Sequence, residues 1–363
     1  MNKIVVGISG GVDSSVSAYL LKSQGFDVIG LFMKNWDEED EDEGCSSAQD
    51  YEDVMAVCEF LDIPYYTVSF VKEYKNNVFA DLLEGYSQGY TPNPDVLCNS
   101  EIKFKLLLKK AEELGGYLAT GHYCRKTFID GNVVLMKAKD LSKDQSYFLS
   151  ITPGNCFRKV LFPLGDLLKS EVRKIASEAG ISTATKKDST GICFIGKRNF
   201  KNFLGRYLPE KQGLLIDWHT KSILGQHPGA HFFTIGQRKG LEIGGPGGPW
   251  YVVGKDMNEN IIYVVNKKGT EALLKDQLTA TDVNWFSKPK FPYECTAKIR
   301  YRSEDEPCYL TEDETNPKNV KVVFQRPISS ITPRQTIVFY SGDFCLGGGS
   351  IDVSILPMSP VLP

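Results

Sequence analysis

Three stretches of this chain carry side chains suited to phosphate or sulfur chemistry. The first is Ile4-Val5-Val6-Gly7-Ile8-Ser9-Gly10-Gly11-Val12-Asp13-Ser14-Ser15. A β-branched run reads as a buried strand, and a helix starts near Ser14. A strand, a glycine turn and a helix N-terminus hold an anion with backbone N–H groups and the helix dipole. No lysine ends the turn, so the grip falls to backbone and to Ser9 and Ser14, with Asp13 a candidate oxygen ligand for magnesium. A plain strand-to-helix turn capped by Ser and Asp accounts for the same residues. The second stretch is Thr91-Pro92-Asn93-Pro94-Asp95-Val96-Leu97-Cys98-Asn99. Its prolines predict a rigid non-helical turn, capped by Asp95, with Cys98 one turn into the next helix. A thiol there is drawn toward thiolate. A capped turn holding a buried cysteine is the other reading. The third is Lys186-Lys187-Asp188-Ser189-Thr190-Gly191-Ile192-Cys193-Phe194-Ile195-Gly196. Apolar neighbours argue for an inert Cys193. The two lysines and the Ser-Thr-Gly turn argue for thiolate character if the loop folds over the site.

These stretches need elements to hold them. Strand patterns at Val28–Met33, Tyr65–Val71 and Tyr117–Thr120 alternate with helical patterns at Tyr51–Leu61, Val78–Tyr86 and Ile102–Leu114. This order predicts a doubly wound parallel sheet whose ligands lie beyond the strand carboxyl ends. Met33 and Gly121-His122 fall there; Met33 reads either as core or as a contact for an adenine ring. Lys143-Asp144-Gln145-Ser146-Tyr147 reads as a polar surface loop, and Lys169–Ala179 as a helix. Near residue 200 the texture changes. Lys201–Leu208 reads as a short basic helix. Short β runs follow at Leu214–Ile216, His231–Ile235, Trp250–Val253 and Ile261–Val265. Between them Thr234–Gly240 is either an anion-binding turn or a solvated hairpin. The last stretch shows β runs at Thr296–Arg302, Val320–Gln325, Thr336–Tyr340 and Ser350–Leu356, which predict an antiparallel β-barrel. Lys298, Arg300 and Arg302 alternate there, giving one basic face, with Tyr301 on the other. The expected class is α/β: a parallel-sheet unit over 1–200, a small mixed α/β unit over 201–270 and a barrel over 271–363.

The composition fits a globular protein, with 42% hydrophobic and 24% charged residues. No apolar run reaches membrane-spanning length and no basic-then-apolar leader opens the chain, so a cytoplasmic location is expected. The net charge of -3 gives no global signal for nucleic acid. The unbroken acidic run Asp37–Glu43 accounts for that sign and reads as a solvated loop. The 9 cysteines lie at wide spacings without C-x-x-C, which argues against zinc ribbons and iron–sulfur clusters. Most are expected to be reduced, buried thiols.

Ser-Gly-Gly-Val-Asp-Ser-Ser resembles the PP-loop of the ATP pyrophosphatases. Joined in order by Pro-Asn-Pro-Asp-Val-Leu-Cys-Asn, Thr-Gly-Ile-Cys-Phe-Ile-Gly and Thr-Ile-Gly-Gln-Arg-Lys-Gly, it resembles the bacterial-type tRNA-specific 2-thiouridylase family along the whole chain. The resemblance implies an enzyme, a sulfurtransferase that adenylates O2 of the wobble uridine of Lys, Glu and Gln tRNAs with ATP and Mg2+. Cys193 would carry a persulfide from a sulfur-relay protein or cysteine desulfurase and deliver its sulfur to carbon 2. AMP and pyrophosphate would leave. Cys98 would assist by a transient disulfide with Cys193, and Asp95 would act as general acid/base. The resemblance also implies ATP contacts at Gly7, Ile8, Ser9, Gly10, Gly11, Val12, Asp13, Ser14, Met33 and Gly121. Asn93, Pro94 and Asp95 would line the flipped base. Further tRNA contacts would be His122, Lys143, Asp144, Gln145, Arg300, Tyr301 and Gln335. Two other readings compete: another PP-loop enzyme, a ligase or amidotransferase that needs no cysteine pair, and a non-catalytic RNA-binding module.

Overall fold

The computed structural model describes residues 3–37, 46–188 and 200–352. β1 (Lys3–Ile8), β2 (Asp27–Lys34), β3 (Tyr65–Ser69) and β4 (Tyr117–Thr120) fall where the apolar runs predict them, except that β3 stops at Ser69 and Val71, expected in the strand, opens the helical turn Val71–Tyr74. After a hairpin of β5 (Arg125–Ile129) and β6 (Asn132–Met136), β7 (Val160–Leu161) completes a 5-stranded parallel sheet of order β3-β2-β1-β4-β7. Alternate residues feed opposite faces. Val5, Leu31, Met33 and Leu118 join one core with Tyr74, Val78, Cys98 and Ile102. Ile4, Val6, Phe32 and Ala119 join another with Val16, Val54, Val57 and Cys58. Both faces are thus covered by helices, as a parallel sheet requires.

The helix expected over Ile102–Leu114 starts earlier. It begins at Pro94, takes a π-helical register over Cys98–Leu107 and ends at Glu113. Proline is tolerated in the first turn, where its missing N–H has no partner to lose. The N-cap is therefore Asn93, not Asp95: Asn93 Oδ1 accepts from the Asp95 amide at 3.1 Å.

β8 (Gly213–Asp217), β9 (Ile223–His227), β10 (Trp250–Asp256) and β11 (Ile261–Asn266) form a 4-stranded sheet of order β10-β11-β8-β9, with β8 and β11 parallel. The helix Phe200–Gly205 precedes it. The run His231–Ile235 is not a strand; it opens as a 3-10 turn, Ala230–Phe232. Its amides are taken locally: Phe232 N donates to Gly229 O at 3.2 Å, Phe233 N to Ala230 O at 3.3 Å and Thr234 N to Gln237 Oε1 at 3.0 Å.

β12 (Leu274–Trp285), β13 (Tyr293–Lys298), β14 (Glu306–Glu312), β15 (Val320–Ser329), β16 (Thr336–Ser341) and β17 (Phe344–Ile351) form an antiparallel barrel, closed by β12 pairing with both β15 and β17. The β5–β6 hairpin extends this sheet, with Phe344 opposite Met136 and Cys345 opposite Leu135. β13 stops at Lys298. Arg300 and Arg302 lie in a following turn closed by Ser303 N and Oγ donating to Arg300 O. The alternating basic face expected over Lys298–Arg302 therefore does not form. No helix among the described residues is long and apolar enough to cross a membrane.

Candidate active site

β1 ends at Ile8, and Ser9–Gly11 turn the chain into the helix Val12–Ser23. Gly10 has φ 71°, and a Cβ there would lie 2.5 Å from Asp50 O, so the turn requires glycine. Gly11 is the N-cap and offers no side chain to the first amides of the helix. Serine side chains brace the turn from within. Ser14 Oγ accepts from Ser9 N and donates to Gly11 O, both at 3.1 Å, and Ser15 Oγ donates to Gly11 O at 2.9 Å. The result is a braced turn with uncapped helical amides at the carboxyl edge of the sheet, where an anionic group is favoured. Gly121, which follows β4, packs against this helix start. A Cβ there would lie 2.8 Å from Ser14 N. Met33, the last residue but one of β2, lies on the same edge and is buried in the core.

The loop is flanked by a charge network that the motifs do not reveal. Lys169 Nζ donates to both carboxylate oxygens of Asp13 at 2.7 Å, and Tyr123 OH donates to Asp13 Oδ1 at 2.8 Å. Asp188 receives Lys169 at 2.9 Å, Arg173 at 2.6 Å and Lys143 at 2.8 Å. Burial pushes the Asp188 carboxyl up, but the hydrogen bonds and charges of Lys143 and Lys169 outweigh it and bring the pKa down to about 2. Lys186 Nζ donates to Gly10 O at 3.0 Å, to Asp50 at 2.7 Å and to Asp53 at 2.5 Å. Lys186 is thus committed to the loop and the helix Ser46–Phe60. The i, i+4 pair Lys169 and Arg173 at the start of its helix was the available signal.

Asp95 and Cys98 lie on one continuous helical run behind the Asn93 cap. Cys98 is fully buried in the core cluster that also holds Met33 and Val96. Cys193 and the rest of the Ser189–Gly196 loop lie outside the described residues, as do Cys45 and Glu38–Glu43 of the acidic run. Cys58, Cys124, Cys295, Cys308 and Cys345 are buried free thiols; burial pushes Cys58 up to about 12.

The Lys143–Gln145 stretch is a structural knot rather than a loose loop. Asp144 is buried and accepts from Ala138 N at 2.9 Å and Ser146 Oγ at 2.7 Å, and burial raises its carboxyl despite these bonds. Gln145 Oε1 accepts from Tyr123 N at 3.0 Å. His122 is buried beside Phe104 and Phe162, with Nδ1 2.8 Å from Thr120 Oγ1. Burial, helped by the Lys103 charge, pulls its pKa well below the usual range. Tyr301 packs against Phe148 with ring centroids 4.2 Å apart and the planes tilted by 44°. Arg300 Nη2 donates to Ile235 O and Ser330 O at 2.9 Å, and Gln335 Nε2 donates to Thr91 O.

Three family models cover the chain in succession: a tRNA methyl transferase HUP domain over residues 2–197, a tRNA methyl transferase PRC-barrel domain over 201–266, and an aminomethyltransferase beta-barrel domain over 275–351. The chain is 58% identical over 356 residues to the tRNA-specific 2-thiouridylase MnmA of Chlamydia pneumoniae, covering 98% of each. It is 57% identical to its namesake in Chlamydia abortus, over 99% of this chain and 100% of that one. It is 52% identical to the tRNA-specific 2-thiouridylase MnmA 2 of Geobacillus kaustophilus, over 96% of this chain and 94% of that one. With a braced phosphate-type loop at the sheet edge and matches of this extent, the chain belongs to the tRNA-specific 2-thiouridylase family.

Proposed function

We propose that this protein thiolates carbon 2 of the wobble uridine in Lys, Glu and Gln tRNAs, in the cytoplasm, at the expense of ATP. The observation that carries the reading is the 58% identity over 98% of both chains to an enzyme named for that reaction. The braced Ser9–Ser14 turn supports it, because its uncapped amides suit a nucleotide phosphate.

In this reading uridine O2 attacks the α-phosphate of ATP, and pyrophosphate leaves. The carbonyl oxygen, a poor leaving group, becomes part of AMP. A persulfide on Cys193, charged by a sulfur-relay protein or cysteine desulfurase, then presents its outer sulfur to carbon 2, and AMP departs. The Cys98 thiolate attacks the inner sulfur of Cys193, so the S–S bond of the persulfide breaks and a Cys98–Cys193 disulfide forms. Asp95 moves the proton at the base, and Asn93 and Pro94 flank it. Gly7–Ser14, Met33 and Gly121 hold the nucleotide. His122, Lys143, Asp144, Gln145, Arg300, Tyr301 and Gln335 belong to the tRNA-facing set, although in the free protein each side chain is already engaged within the chain or packed against it.

Mg2+ bound with the phosphates would screen their charge as pyrophosphate leaves. Asp13 is the carboxylate that fits it, and its oxygens would be shared between Lys169 and the metal. Among the described residues no group of 3 or more His, Cys, Asp or Glu side chains is placed to hold a metal ion.

The test combines the protein, ATP, Mg2+, a persulfide donor and unmodified Glu tRNA, and quantifies AMP and 2-thiouridine, with Cys98→Ser and Cys193→Ser alongside. Both products from the intact chain, and no thiouridine from either variant, are expected. AMP without thiouridine from the intact chain would overturn the sulfur route and favour the ligase reading. Binding of tRNA without AMP release would favour the RNA-binding module.

A further inference from the structure

Gly89–Pro92 leads directly into the Asn93–Cys98 turn, and it is held from outside its own unit. Lys255, on β10, donates from Nζ to Gly89 O at 2.7 Å. Burial pulls the Lys255 ammonium down to about 7, and among the described residues no carboxylate pairs with it. Met257 fills the space beside Gly89, whose φ is 83°. Thr234 Oγ1 lies 3.1 Å from Thr91 Oγ1, and Arg300 of the barrel fixes the carbonyl of the next residue, Ile235, at 2.9 Å. The link onward is stiff. Pro92 packs on Gly85, where a Cβ would meet its ring at 2.7 Å, and Pro94 opens the helix. With φ fixed at both prolines, a shift at Gly89 or Thr91 is carried into Asp95 and Cys98 rather than absorbed on the way.

We infer that Lys255 and Thr234 are positioning residues for the thiolation site: from the central unit they hold the Gly89 carbonyl and the Thr91 side chain and thereby aim Asp95 and Cys98. The inference rests on the thiouridylase reading. Its physical basis is that a carbonyl partly withdrawn from water gains from a donor, and Gly89 O has Lys255. A buried lysine without a counter-charge is a costly way to supply one. Neither residue touches the reacting atoms in this scheme. A misplacement of the site by about 1 Å costs roughly 100-fold in rate, so partial release of the segment is expected to cost about 10-fold.

The experiment uses the full chain with ATP, Mg2+, a persulfide donor, a thiol reductant that reopens the Cys98–Cys193 disulfide after each cycle, and unmodified Glu tRNA, and compares Lys255→Met, Thr234→Val and Thr234→Ser with the parent. Turnover is read as kcat and tRNA KM. Hydrogen exchange is read at the 86–99 peptide and at the loop peptide 4–15. Expected for Lys255→Met and Thr234→Val are a lower kcat, an unchanged tRNA KM and faster exchange confined to 86–99. Thr234→Ser, which keeps the hydroxyl, restores kcat. Unchanged kcat in both variants overturns the inference, even with faster exchange, since the contacts would then be structural only. A raised tRNA KM at unchanged kcat overturns it in favour of a tRNA-binding role. If the parent itself makes no thiouridine, the functional reading fails separately, and unchanged exchange at 86–99 would still overturn the clamp. If Lys255→Met does not fold, the Thr234 pair alone decides.

Discussion

Lys169 is the residue on which charge at the loop turns. Its ammonium is about nine-tenths buried and shared between Asp13 and Asp188 at 2.7 and 2.9 Å. A polyphosphate entering beside the helix start would compete with both carboxylates for it. Removing such a cation from a water-poor phosphate site typically costs about 100-fold in the step where charge develops. Lys169→Met is therefore expected to lower tRNA-dependent AMP formation by about that factor with a smaller effect on tRNA binding, measured by single-turnover pyrophosphate release and by filter binding. Asp188 gives a second expectation at this scale. Its carboxyl ionises at about 2 in the folded chain against 3.8 for a free side chain, so the unfolded chain takes up the proton first as pH falls. The stability it contributes is complete above 3.8 and is lost between there and about 2. Asp188→Asn is expected to cost on the order of 1 kcal/mol near neutrality, after allowance for solvent screening. That difference from the parent shrinks as pH falls through the same window, which urea titrations at stepped pH would show.

Glycine has two different uses at the scale of elements, and substitutions separate them. Gly121 sits where β4 hands the chain on, and an added Cβ would meet Ser14 N at 2.8 Å and Asp13 C at 2.9 Å, both backbone. The strand end and the loop would have to part, at roughly 1–3 kcal/mol. Gly121→Ala is expected to lose AMP formation out of proportion to its loss of stability. Gly131 has open space around it but φ 76°, beside Asp130 at φ 49°, in the two-residue turn between Ile129 and Asn132. Gly131→Ala is expected to cost about 1 kcal/mol through backbone strain and to leave turnover intact, as thermal unfolding and the thiolation assay would show. The same two glycines mark what the sequence disclosed. The parallel sheet was legible because apolar runs alternate with helical periods, and the Ser-Gly-Gly loop because its spacing has a mechanism. The Asp130-Gly131 dipeptide is a hairpin signal, yet its strands β5 and β6 were overlooked within a region read as alternating strand and helix. Their partner, β17, lies some two hundred positions away, which no local pattern reports. The Lys169 network is hidden for the same reason: its members, Asp13, Tyr123, Lys143, Lys169 with Arg173, and Asp188, come from five separate segments. Arg300 departs from the expected strand although the alternation of Lys298, Arg300 and Arg302 has a strand period, because β13 stops at Lys298 and Ser303 closes a local turn on Arg300 O.

Interlock rather than simple succession describes the whole molecule. The barrel's Phe286, Val338, Tyr340 and Cys345 lie in the same core cluster as Val133, Leu135, Tyr147 and Cys98 of the first unit. Polar ties cross the same boundary: Tyr147 OH donates to Thr336 O at 2.7 Å, Lys137 meets Asp305 at 2.6 Å, and Arg334 meets Asp81 at 2.9 Å. Asn284 Nδ2 donates to Ser150 O and Thr152 O at 2.9 and 3.1 Å. Units joined only by a linker would unfold separately and tolerate excision. Here, removing the barrel strips β6 of its β17 partner and uncovers Val133, Val134 and Leu135, each at most 3% exposed in the full chain. It also leaves the buried acceptors of Ser150 and Thr152 without their donor. A chain stopped at residue 270 is therefore expected to lack a sharp thermal transition and to bind hydrophobic dye, while the full chain unfolds its first unit and barrel in one calorimetric transition. A 1–270 chain that melts cooperatively with native near-ultraviolet dichroism would show instead that the first unit closes its own core. The barrel would then be an appended unit rather than part of the first unit's core.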